Sequence, residues 1–438
     1  MHLGLFLLGT GSHIAGWRYP GALATFESLP RIAEIAAAAE RAKFDLLFMG
    51  DNLYGDPHAH PSYTSRLEPL TMLAALAVTT QRIGLGATAS TTYGDPFTVA
   101  RAFASLDHIS NGRAGWNAVT TANAVSAGNF GRAHPDHGAR YAIAEEFIEV
   151  VRGLWDCWDD AALVADRSTG VFIDPGKVRA LDHDGPYFRV AGPLNISRAP
   201  QGQPVILQAG GSAPGQRLAA RTADVVFSVV ADLNDAQRQY ADFKMLVASH
   251  GRNPADVALL PGVMPVVGRT DREAFDTLAT LQGYVNSTNA LAMLSERLGS
   301  DMREFPLDGP VPDIALPDTY HSFARVMLGK ARREGMTLRD LYNLTAAARG
   351  HWVLCGSART VADTLELWFT SGAADGFNIM PPYLPGGFDA FIDGVIPLLV
   401  ERGLFRAEYS GTTLRDHLGL ARPARAGKFA EKIRGPVP

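Results

Sequence analysis

The sequence predicts a (β/α)8 TIM barrel with insertions, and three observations predict it. Short apolar runs recur along the chain, longer stretches with helical spacing separate them, and eight such runs are present. Continuous rather than alternating apolar runs are what strands buried on both faces of a parallel sheet require. Eight of them fit a closed barrel better than an open, doubly wound sheet.

The runs fall at residues 3–8, 44–49 (FDLLFM), 83–87, 114–117 (AGWN), 205–208, 225–229, 258–267 and 377–380. Helical spacing is clearest at 29–42, 69–79 and 96–107, and again from His137 through Glu145, Glu146 and Ile148 to Trp155. A typical barrel takes about 250 residues, so much of this 438-residue chain sits in insertions. Two stretches read as inserted loops without strands. One, at about 158–203, is rich in Asp, Gly and Pro; the other, at about 284–345, contains a Pro-rich run at 305–312. Such loops serve as lids or oligomer contacts more often than as separate domains. The whole of 1–438 therefore reads as one barrel domain. Its tail extends from about 418, where Arg422, Arg425, Lys428, Lys432 and Arg434 among Ala, Gly and Pro suggest a solvated end.

Composition narrows the function classes. With 47% hydrophobic and 19% charged residues the chain is globular, and 40 Lys+Arg against 45 Asp+Glu give no basic field for nucleic acid or an anionic membrane. The 2 cysteines, Cys157 and Cys355, are too few for a disulfide framework. The apolar start is too short for a signal peptide and no 18-residue apolar run follows, so a soluble cytoplasmic protein is expected. No metal site is expected either. His58 and His60, with Asp56 nearby, sit in a Pro-containing loop well past the second run, and neither His-Glu-x-x-His nor Cys-x-x-Cys occurs. Gly-x-Ser-x-Gly is absent, and Gly9-x-Gly11 continues to Ile14 where a dinucleotide fingerprint needs glycine.

In a barrel the chemistry collects on the loops that follow the strands. After the first run come Gly9-Thr10-Gly11-Ser12-His13; after the second, Asp51; after the third, Thr88 to Thr92; after the fourth, Asn117 with Thr120 and Thr121. A carboxylate such as Asp51 at the end of an apolar strand needs a hydrogen-bond partner, either a backbone amide it caps or a ligand. Thr88 and Ser90 suit a sugar-like chain, because hydroxyls donate and accept, though they serve equally as loop caps. Gln208-Ala209-Gly210-Gly211-Ser212 ends a strand, turns on two glycines and opens a helix. This is either a plain capped start or an anion site, where free amides and the helix dipole favour a phosphate. His137 and Tyr141, four apart, share a helix face, with Arg140 directed elsewhere; they read as a surface pair or as arms reaching one polar ligand. Trp17, Phe6, Tyr93 and Tyr383 are candidates for an apolar pocket wall or for core packing.

These segments, taken together and in order, resemble the bacterial-luciferase-like flavin monooxygenases. The branch is that of nitrilotriacetate and EDTA monooxygenases, dibenzothiophene-sulfone monooxygenase and pristinamycin synthase. The likeness runs nearly end to end: Gly11-Ser12-His13 with Trp17-Arg18; Phe48-Met49-Gly50-Asp51; Gly86 to Tyr93; Ala102 to Ser110; Gly115 to Thr121; His137 with Arg140-Tyr141; Gly192 to Asn195; Gln208 to Gly210 with Ser212; and Ala374 to Asn378. Gly211 departs from the other small residues of relatives, which an amide-based phosphate site tolerates. The resemblance implies reduced FMN as cofactor, delivered by a separate NADH-dependent flavin reductase, with dioxygen as co-substrate. A small organic substrate would be oxygenated through a flavin peroxide inside a site kept dry by a lid, for which 284–345 is the candidate. It further implies that Asp51, Thr88 or Ser90, and Asn117 contact the flavin ring or ribityl chain. By the same likeness His137, Tyr141, Gly211 and Ser212 hold its phosphate end, His13 is a substrate-side catalytic group, and the chain forms a homodimer or homotetramer. A deazaflavin-dependent oxidoreductase on the same barrel and a non-catalytic flavin-binding subunit are the competing readings.

Overall fold

The computed structural model describes residues 1–55, 61–230, 232–315 and 321–425. Asp56, His58 and His60, together with Lys428, Lys432 and Arg434, lie outside the described residues.

Nine parallel strands follow in chain order: β1 (His2–Phe6), β2 (Leu46–Met49), β3 (Gly84–Ser90), β4 (Ala114–Val119), β5 (Val205–Gln208), β6 (Val225–Ser228), β7 (Ala258–Gly268), β8 (Trp352–Ser357) and β9 (Gly376–Ile379). All but β8 close into the barrel. β6 lies against β7, β7 against β9, and β9 against β1, where Gly376 to Ile379 run beside His2 to Leu5. These eight strands are the eight apolar runs of the sequence. β8 is not among them. It pairs with the outer half of the long β7, Val263 to Gly268, beyond the point where β7 leaves β9.

Inward residues alternate along each strand, and they fill the barrel. Leu46, Val205, Leu207, Val225 and Leu260 pack with Phe6, Phe48 and Phe227, whose rings lie 4.8 Å (Phe6 to Phe48) and 4.4 Å (Phe48 to Phe227) apart. At the N-terminal end the floor is sealed by Leu414, from the short helix Leu414–His417. Leu414 enters because Gly84 has no side chain: a Cβ there would stand 2.5 Å from a Leu414 methyl. Beside it Arg113, fully buried, donates to the carbonyls of Ala77, Thr80, Ile83 and Ser110 and so fixes the turns before β3 and β4.

Helices alternate with the strands and carry side-chain caps. Asp95 accepts from the Thr98 amide ahead of Pro96–Ile109, and Asp136 from the Ala139 amide ahead of His137–Trp155. The 158–203 segment is not strand-free as expected: it holds two antiparallel hairpins, Leu163–Asp166 with Val171–Ile173 and His183–Asp184 with Arg189–Val190. It returns to the barrel floor, where Gln201 bonds Asp107 and the Ala114 carbonyl. The described part of the tail docks on it. Arg422 pairs with Asp160 and Arg425 with Asp159, so ion pairs hold these residues where a solvated end was expected.

The 284–345 segment folds into helices Ser287–Leu298, His321–Glu334 and Leu338–Ala348, the last reaching past the segment, around a separate apolar cluster that includes Leu294, Leu298, Met327 and Leu341. It lies at the opposite, C-terminal end of the barrel. The Ile14 amide donates to the Ala346 carbonyl at 2.9 Å, Arg18 donates to the Tyr284 carbonyl and covers its ring, and Asn123 donates to Glu296 at 3.4 Å. Among the described residues no helix is long and apolar enough to cross a membrane.

Leu414→Ala opens a cavity under the barrel and is expected to cost about 3 kcal/mol, read from the urea unfolding midpoint at constant slope. An unchanged midpoint would show that Leu414 does not hold the floor.

Candidate functional site

The carboxyl ends of the strands converge on the rim beneath the helical cap, and most of the singled-out residues stand there. Thr88 and Asn117 are register partners on β3 and β4, and the Asn117 amide donates to Thr88 Oγ1 at 2.8 Å. Asn117 Oδ1 is buried with no partner among the described residues. A sealed, unmet acceptor is costly unless a ligand donor meets it.

Ser90 is engaged within its own turn. Its hydroxyl accepts from the amides of Thr92 and Tyr93 at 3.1 and 3.0 Å and bonds Thr121 at 2.7 Å. Asp51 follows β2 and accepts from the Asn52 amide at 2.8 Å. Burial pushes its carboxyl up from the ordinary range, against the pull of that bond and of Arg66.

The expected anion cluster is assembled from two helix starts. Ser212 caps Ala213–Thr222, accepting from the Gly215 amide at 3.3 Å, and donates to the Tyr141 hydroxyl at 3.0 Å. Tyr141 lies on the first turns of His137–Trp155, with its ring edge-on to His137 at 5.1 Å. Among the described residues the amides of Gly210, Gly211 and Ser212 find no acceptor, and Gly211 is exposed. Strand end and helix start approach so closely that a Cβ on Gly210 would meet the Gly215 Cα at 3.0 Å. Two helix dipoles and free amides on one exposed patch suit a phosphate. Arg140 points elsewhere, to His134 Nε2 at 2.8 Å, while His134 Nδ1 bonds the Tyr93 hydroxyl at 2.7 Å.

His13 is buried at 1% exposure under the cap. Its Nδ1 accepts from the Ala15 amide at 3.1 Å, so the neutral ring carries its proton on Nε2, which meets no partner among the described residues. Burial pushes its pKa down to about 4.

The four aromatics do not form one wall. Phe6 lies in the barrel interior, Tyr93 stacks on Phe130 at 4.6 Å, Tyr383 stacks on Tyr19 at 4.2 Å, and Trp17 is 45% exposed. Three rim residues were given no role from sequence: Ser228 at the end of β6, His351 before β8, and Asn378 on β9, which had appeared only within a matched segment; each has a buried polar atom lacking a partner among the described residues. The signal for Ser228 and Asn378 was a polar residue interrupting an otherwise apolar run. His351 had none, because β8 was not recognised.

A cavity of about 140 Å³ beneath the cap borders His351, Val230, Met327, Leu344 and Trp352. A larger one of about 220 Å³ lies on the outer helical layer, between Leu29–Arg41 and Gly386–Glu401, away from every rim residue above. Among the described residues no group of three or more His, Cys, Asp or Glu side chains could hold a metal ion.

The family described as luciferase-like monooxygenase matches residues 1–374. The chain is 47% identical to N-acetyl-S-(2-succino)cysteine monooxygenase of Bacillus subtilis (strain 168), over 96% of this chain and 97% of the relative. It is 46% identical to nitrilotriacetate monooxygenase component A of Aminobacter aminovorans, over 97% of each. Among solved structures it resembles a riboflavin lyase with modified FMN and substrate riboflavin, with a TM-score of 0.85, 30% identity and 96% of both chains covered.

The depressed His13 basicity has a definite sign. Unfolded, the ring protonates near the ordinary 6.5; folded, only near 4. Stability is therefore unaffected by this group above about pH 6.5 and is lost as pH falls toward 4, by about 3 kcal/mol. His13→Asn, which keeps an acceptor for the Ala15 amide, should show a shallower fall in denaturation midpoints over that window, and an identical fall would place the ring's basicity near normal.

Proposed function

The chain belongs to the luciferase-like monooxygenase family, and from that premise we propose that it is a flavin-dependent monooxygenase acting on a small organic substrate. The cofactor is reduced FMN, supplied by a separate NADH-dependent flavin reductase, and dioxygen is the co-substrate. When bound, reduced FMN supplies the electrons with which dioxygen yields one oxygen atom to the substrate and one to water. A relative named as component A of a monooxygenase and a structural neighbour containing modified FMN support the reading.

The observation that carries it is the Ser212 to Tyr141 contact at 3.0 Å, which joins two helix starts into one exposed anion cradle beside the barrel mouth. The amides of Gly211 and Ser212, with Tyr141 and His137, hold the phosphate. Asn117 offers its unmet Oδ1 and Thr88 its hydroxyl to the ring or ribityl chain. Asp51 takes a ligand N–H or O–H from the β2 end, and Ser90 shapes the turn that carries this wall. His13 presents Nε2–H to the substrate side as a catalytic hydrogen-bond donor. The helical cap of 284–345, bonded to the β1 and β4 loops, excludes water as the lid. Single-domain organisation and a homodimer or homotetramer belong to the same proposal.

With a flavin reductase and NADH, the protein should consume oxygen and form an oxygenated product from N-acetyl-S-(2-succino)cysteine, nitrilotriacetate or a related compound. Oxygen use that yields only hydrogen peroxide across such a panel would sink the oxygenase reading. Ser212→Asp sets a carboxylate in the cradle and should weaken FMN at least about tenfold by fluorescence titration, while leaving riboflavin, which has no phosphate, unaffected. Equal losses for both flavins would show that the phosphate is held elsewhere.

A further inference from the structure

A second imidazole stands at the barrel mouth, on a strap the family reading leaves without a role. His351 follows the helix Leu338–Ala348 and leads into β8; its amide donates to the Ala348 carbonyl at 2.9 Å, after Arg349 turns the chain at a φ of 56°. The ring leans over β7 at Gly262, where a Cβ would meet His351 Nδ1 at 2.3 Å, so a side chain at 262 would displace it. His351 is partly exposed where it borders the 140 Å³ cavity, but Nδ1 itself is sealed from solvent and has no partner among the described residues.

The other ring nitrogen is bonded to the Ser228 backbone. In that bond the carbonyl accepts, so Nε2 bears the proton and Nδ1 a bare lone pair. His13 has the same tautomer turned the other way, with Nδ1 engaged and Nε2–H unmet. The bond from the Ile14 amide to the Ala346 carbonyl ties the loop of one imidazole to the helix that ends just before the other. Asn378, register partner of Gly262, adds a further unmet acceptor, Oδ1, to the same wall.

We infer that His351 is a specificity-determining residue of this site, whose Nδ1 accepts a hydrogen bond from an O–H or N–H of the ligand while His13 Nε2–H donates to a ligand acceptor. The inference rests on the reading of the barrel mouth as the oxygenation site. The ligand class that follows is an organic molecule presenting a donor and an acceptor on one edge. A methylated analogue leaves a buried acceptor unpaired and is rejected, which a purely apolar wall would not do. Burial, then the nearby Arg349 and Arg297, push the His351 pKa down to about 4, so the ring stays an acceptor at neutral pH.

The test uses phenol and anisole, which differ by one methyl on oxygen and match a cavity near the roughly 150 Å³ that holds benzene. The full chain, labelled with ¹⁵N-histidine, is titrated with each, without and with FMN. Phenol should move the His351 Nδ1 resonance and bind at least about fivefold more tightly than anisole. That preference should vanish in His351→Phe and shrink in His351→Gln, which retains an N–H for the Ser228 carbonyl, with FMN affinity unchanged in both. A proton on Nδ1, an unmoved His351 resonance in phenol, or a phenol preference surviving in His351→Phe overturns the inference. Failure of FMN to bind, with the phenol preference intact, would instead strike the flavin reading and leave the acceptor role standing.

Discussion

The hydrogen-bonded seam between β9 and β1 is the constraint on which the rest depends. Gly376 to Ile379 pair in parallel with His2 to Leu5, and because every strand of the ring runs the same way, closing that seam puts all eight carboxyl ends on one rim. His13, Asp51, Thr88, Asn117, Ser212 and Asn378 come from six different strand ends, up to 365 residues apart in sequence. No local motif could bring them together. The apolar interior then separates a polar rim from a floor that needs only to be tight.

The rim is polar beyond what its own hydrogen bonds satisfy. Asn117 Oδ1, Asn378 Oδ1, Ser228 Oγ, His13 Nε2 and His351 Nδ1 are all sealed without partners among the described residues. At the floor Arg113 shows the opposite case, its guanidinium met by four carbonyls, although His417 Nδ1 nearby also lacks a partner among the described residues. Each unmet atom destabilises the empty site by an amount a ligand recovers on binding. Five such atoms gathered on one rim, donors and acceptors together, suit a binding site better than a core built for stability alone.

Most of the barrel was legible because strands buried on both faces must be continuously apolar, and the eight ring strands obey that rule. The helix over His137–Trp155 was equally plain from its spacing, and the structure adds Asp136 as its cap. β8 was not legible: it pairs with β7 alone and lies outside the ring, and four of its six residues are only partly buried. Its loss hid His351. The hairpins of 158–203 were missed for a similar reason, since Leu163, Val164, Val171 and Phe172 are exposed and show no buried face to set a period. At the site, Ser212 and Tyr141 could each be proposed from local pattern. Ser90 shows the limit of that approach, because a strand-end hydroxyl looks the same whether it faces a ligand or its own turn.

Leu414, which seals the floor, comes after every strand in chain order. During synthesis it leaves the ribosome after every strand residue of the barrel interior. A nascent chain can therefore pair all its strands while Gly84 and Gly115 still border an open shaft. Removal of the segment that carries Leu414 would therefore leave every strand in place but strip the core of its underside, so the barrel is finished by residues that are not part of it.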